Sequence, residues 1–64
     1  MTTRDAVKKL GGSGFMSENV GACWVAGCTD RGVSIQRTGA TRDDAERALV
    51  ERMRMRSMDR QFAA

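Results

Sequence analysis

Two cysteines and no histidine bound what this chain can do chemically. Cys23 and Cys28 could form a bridge, share a metal, act as a nucleophile or sit buried as small apolar side chains. A closed zinc site needs four Cys- or His-type ligands, which one chain with this composition cannot supply alone. The usual general base beside a Cys or Ser nucleophile is a histidine. In a chain of 64 residues there is little room for the pocket that an acid or a lysine would need in its place. The expectation is two free, structural thiols and a protein that works without catalysis, metal or cofactor.

The remaining residues with chemical character are suited to binding. Arg52, Arg56 and Arg60 recur at i, i+4, i+8 on a helical pattern, and each neighbouring pair of like charges repels by about 0.2–0.5 kcal/mol. An acidic partner would relieve that repulsion; the plain alternative is a solvated helix end partly neutralised by Glu51 and Asp59. Beside the arginines, Met55, Met58 and Phe62 form a stripe of adaptable apolar side chains, fit for a partner's groove or a second copy of the chain. They would otherwise fold back over the N-terminal helix. Trp24 is either covered by Val7 and Leu10 or free to act as an interface anchor. The expected contact set is therefore Arg52, Arg56, Arg60, Met55, Met58, Phe62 and Trp24.

The elements that must position these residues follow from punctuation and period. The chain reads as one small α+β domain over 1–64, because a chain this short buries only about 60% of its unfolded surface and has a thin core. Residues 1–10 read as a short helix with a threonine cap, Asp5 in the first turn and Lys8 and Lys9 in the last. Residues 11–14, Gly-Gly-Ser-Gly, read as a flexible joint. Residues 22–38 read as an antiparallel hairpin, with room for a third short strand. Residues 41–60 read as a long helix packed on the sheet, opened by Thr41 and Asp44 as an approximate capping box and uninterrupted by Gly or Pro. Ala45, Ala48, Leu49 and Met53 share one side of it.

A three-residue turn, Asp30-Arg31-Gly32, is expected for the hairpin, since Gly takes the left-handed region at low cost. Thr29 would then face Val33, Gly27 would face Ile35 and Val25 would face Arg37. This places Cys23, Val25, Val33 and Ile35 under the long helix and Trp24, Ala26 and Cys28 on the opposite face. The predicted core is Val25, Val33, Ile35, Leu49 and Met53. Strands of six residues span about 20 Å and a twenty-residue helix about 30 Å, so the helix is expected to outrun the sheet beyond Met53.

The hairpin followed by Gly39-Ala40-Thr41-Arg42-Asp43-Asp44-Ala45 resembles the strand-strand-helix segment of HicB-type antitoxins, in which a Gly-x-Thr-x-x-acid-Ala turn launches the helix. The resemblance covers residues 22–53 and implies a small protein that inhibits a protein target by occupying it. The same order is also similar to the C-terminal half of double-stranded-RNA-binding domains. There, lysines at the helix start meet phosphates; here Asp43 and Asp44 oppose an anion site.

Eleven Lys and Arg against eight Asp and Glu, net +3, favour an acidic partner. No apolar run reaches membrane-spanning or signal-peptide length, so a cytoplasmic protein without membrane contact is expected. The functional expectation is a non-enzymatic inhibitor or adaptor, antitoxin-like or phage-encoded, directed at a protein or protein–nucleic acid complex such as a nucleic-acid-targeting defence complex. A homodimer would complete its apolar surface. The alternative is a DNA- or RNA-binding regulator using Arg52, Arg54, Arg56 and Arg60.

Overall fold

The computed structural model describes residues 2–63, with side chains over 2–61. Helix α1 (Thr3–Lys9) is followed by strands β1 (Gly12–Asn19), β2 (Trp24–Asp30) and β3 (Val33–Gly39), then by helix α2 (Arg42–Ala63). The α+β class with a short first helix and a long last one is as the sequence predicts. The strands form one antiparallel sheet in the order β1-β2-β3. Both helices lie on the same face of it, α1 over β1 and α2 chiefly over β3 and β2.

Each helix start follows from local chemistry. Thr2 caps α1: its hydroxyl accepts from the Asp5 N–H at 3.2 Å and the Asp5 carboxylate accepts from the Thr2 N–H at 3.4 Å, a reciprocal capping box. Thr41 Oγ1 accepts from the Asp44 N–H at 3.1 Å at the start of α2. Asp43 and Asp44 put negative charge in the first turn of α2, where the helix dipole favours it.

The sequence expectation of a joint over 11–14 is corrected: Gly12 to Asn19 is a full strand. Gly12 serves close packing. A Cβ on Gly12 would stand 2.6 Å from Val7 Cγ1 and 3.0 Å from Met53 Cε, so α1 and α2 close over β1 only because that position has no side chain. The register then shifts between Ser13 and Met16, a bulge in the β1–β2 ladder. Phe15 packs against the core, with the Arg4 guanidinium 5.7 Å from its ring centroid.

The hairpin register is also corrected. The β2–β3 loop has two residues, Arg31 and Gly32, both left-handed (φ 53° and 83°), and Asp30 pairs with Val33, Cys28 with Ile35 and Ala26 with Arg37. This is the φ pattern of the hairpin turn whose twist matches the strands, and the match outweighs the cost of a left-handed arginine. The face under the helices therefore carries Trp24, Ala26, Cys28 and Asp30, and Val25 goes to the other side. The core is Val7, Ala26, Cys28, Ile35, Ala45, Leu49 and Met53. Of the five predicted core residues, Ile35, Leu49 and Met53 are buried, Val25 is half-buried and Val33 is 48% exposed. Small side chains at Ala26 and Cys28 let α2 sit close to the sheet, and Cys28 Sγ lies 3.6 Å from Met53 Sδ.

Candidate functional site

At one end of the sheet, two of the three predicted contact arginines turn inward. Asp30, the last residue of β2, is fully buried. Its Oδ2 accepts from Arg56 Nε at 3.0 Å and from Arg60 Nη1 at 2.8 Å. Arg60 Nη2 also donates to the Leu10 carbonyl at 3.2 Å, at the C-terminal cap of α1. One carboxylate thus fastens the end of α2 to β2, and through Arg60 to α1. Hydrogen bonding from Arg56, followed by that from Arg60 and the charges of both, outweighs burial and holds the Asp30 carboxyl below the usual carboxylate range. Its Oδ1 has no partner among the described residues. That idle oxygen makes the latch weaker than a fully satisfied one.

The sequence reading placed an overhang beyond Met53. Among the described side chains of α2, Met53 is the last that is fully buried, but Arg56 and Arg60 reach back to the sheet from the turns that follow. What points outward is different. Arg52 borders several shallow hollows beside α2: the one between α2 and Arg37 of β3, ≈ 410 Å³, is lined by Arg37, Arg47, Ala48, Glu51, Arg52 and Met55. A neighbouring hollow that shares Arg37 and Arg52 runs along Val33, Ser34 and Gln36, and a third, beside Arg52 and Arg56, reaches the hairpin turn at Arg31. Arg31, Arg37 and Arg52 make no ion pair among the described residues, whereas Arg42 pairs with Glu46 at 2.8 Å and Arg47 with Asp43 at 2.9 Å. Arg37 Nη1 instead donates to the Gln36 carbonyl at 3.3 Å, on its own strand.

The other predicted residues scatter. Met55 and Met58 are 52% and 54% exposed, and of these Met55 alone lines the groove. The side chain of Phe62 lies outside the described residues. Trp24 does not face away from the helices: it packs, half-buried, against the core beneath them. It pairs with Gly39, at the opposite end of β2 from Asp30, about 20 Å away by strand rise. It supports the core rather than joining Arg52. Sequence reasoning missed Arg37, Arg31 and Asp30. The trace of Asp30 was there in the alternation Ala26, Cys28, Asp30, which puts an acid on the helix side opposite arginines spaced by one turn.

The chemistry this arrangement supports is recognition. Among the described residues no group of three or more His, Cys, Asp or Glu is placed to hold a metal, and no helix is long and apolar enough to cross a membrane. Cys28 and Cys23 are both free; burial first, and then the charge of Asp30, push the Cys28 thiol up, away from the reactive thiolate. The Thr3 hydroxyl first, and then Arg42, hold the Glu46 carboxyl below the usual carboxylate range. No family model, no curated protein and no solved structure matches the chain.

Proposed function

We propose that this protein is a non-enzymatic binder that inhibits or adapts a protein, or a protein–nucleic acid complex, by seating the groove between β3 and α2 on an acidic surface. The observation that carries it is the pair Arg37 and Arg52: two guanidinium groups beside one groove, without acid partners among the described residues, next to the exposed thioether of Met55. Arginines open at least in part to solvent, as the exposed Arg37 and the half-buried Arg52 are, and not spent on internal ion pairs give an interface its complementarity and its association rate, and methionine supplies adaptable apolar contact. An antitoxin-like role, or that of a phage-encoded inhibitor of a defence complex, belongs to this proposal through the resemblance of residues 22–53. Two free thiols fit a reducing compartment such as the cytoplasm.

The nucleic-acid alternative loses part of its basis, because Arg56 and Arg60 are engaged by Asp30 and α2 begins on two aspartates. Affinity capture separates the readings. A protein partner recovered equally with and without nuclease treatment is the expected result. Capture abolished by nuclease, with a steep salt dependence from released counterions, would establish the alternative in its place.

A further inference from the structure

The groove has a wall with unused hydrogen-bonding capacity. β3 is an outer strand of the sheet, and its seven pairs with β2 run without a bulge. In a two-residue hairpin the residues flanking the loop exchange hydrogen bonds, and bonded pairs then alternate with unbonded ones. Ser34, Gln36 and Thr38 fall in the unbonded pairs, so their backbone N–H and C=O groups face the open edge. The bond from Arg37 Nη1 to the Gln36 carbonyl agrees with that direction. It is also the strand's main protection. Edges are ordinarily blunted by proline, lysine, a bulge or a covering element, and β3 has neither proline, lysine nor bulge. The other edge, β1, is broken by its bulge and by Gly14 at φ 64°.

We propose that the open edge of β3, from Ser34 to Thr38, accepts an extended acidic segment of a protein partner as a fourth strand, with carboxylates set against Arg37 and Arg52. This rests on the acidic-partner reading above and specifies how the partner is held. Main-chain pairing supplies affinity, and alternate side chains supply selectivity. Residues of the incoming strand on the helix side would meet Ile35, Arg37 and Arg52, so acids belong at every second position; polar residues belong between them, beside Ser34, Gln36 and Thr38. A second copy of this chain fits poorly. Pairing two β3 edges would bring Arg37 and Arg52 of one copy towards those of the other without added acid.

The probe is a fluorescein-labelled heptapeptide alternating threonine and glutamate, titrated into the full chain by fluorescence anisotropy. Saturable binding is expected. It should fall about tenfold or more, the equivalent of about one to two lost hydrogen bonds, when the peptide's edge-facing amides are N-methylated, and likewise with Gln36→Pro. Proline is tolerated where an N–H faces away from the sheet, so this variant should keep its thermal midpoint; the methylated peptide tests the same bond without altering the protein. No binding of the parent peptide, or equal binding of parent and methylated peptides, overturns the strand-addition mode. If Arg52→Glu still abolishes binding in the latter case, the acidic-partner reading survives without it. Binding of an oligothymidylate in place of the peptide would overturn both.

Discussion

Leu49→Ala is expected to cost about 2–5 kcal/mol, the range for truncating a large buried aliphatic side chain without collapse of the site. Leu49 is fully buried at the centre of α2, within the cluster that includes Ile35 and Met53. A domain of this size has roughly 3–10 kcal/mol of total stability, so the variant stands at or near the edge of unfolding at ambient temperature. Val33→Ala is the comparison that tests where the core ends. Val33 sits at the open hairpin end and is 48% exposed, so its truncation should cost less than about 1 kcal/mol. Equal losses at Leu49 and Val33 in urea titrations would mean that Val33 is covered and that the core extends to the hairpin end of β3.

The second large effect belongs to the latch. Asp30→Ala is expected to destabilise the fold by about 2–3 kcal/mol, towards the lower end for breaking a buried ion pair. Two features set it there: Arg56 and Arg60 keep about a quarter of their side-chain surface in water and can resolvate, and Oδ1 contributes no hydrogen bond. The pH dependence carries the same mark. Because the folded-state pKa of Asp30 lies below its unfolded value, the latch is fully present above the unfolded carboxylate range, near pH 4. Its contribution is lost as pH falls through the folded pKa. Urea midpoints of the parent chain should therefore drop on acidification below about pH 4, and the part of that drop due to Asp30 should vanish in Asp30→Asn. A parallel decline in both proteins would remove Asp30 from the acid response.

Much of this was legible in the residues. Thr41 with Asp44, and the run Ala45, Leu49, Met53, announce the long helix and its buried side because capping and a 3.6-residue period are local properties. What misled was the turn. Placing Gly32 alone in the left-handed region lengthened the loop by one residue, and in a strand one residue exchanges the two faces. Val25 then appeared buried, Trp24 on the face opposite the long helix and Asp30 part of the loop. The same slip hid the partner of Arg56 and Arg60, so their spacing looked like an outward ladder. The strand at Gly12 was hidden for a different reason: whether a glycine marks a joint or a close approach depends on Val7 and Met53, distant in sequence. Arg37 escaped notice because a single arginine on a strand has no local pattern; it matters only once α2 places Arg52 across the groove.

The central claim is that binding runs through the groove arginines and not through the latch or the outer side of α2. The direct measurement is the affinity of the captured partner for three proteins of equal thermal stability: the parent chain, Arg52→Glu, and Arg54→Glu as a control on exposed charge away from the β3 side. Arg54 lines the hollow on the α1 side of α2, with Thr3, Asp43 and Val50. Arg52→Glu should weaken binding about tenfold or more, as expected for reversing a charge paired across an interface, while Arg54→Glu stays within a few fold of the parent. Equal losses in both variants, or undiminished binding by Arg52→Glu, would contradict the claim.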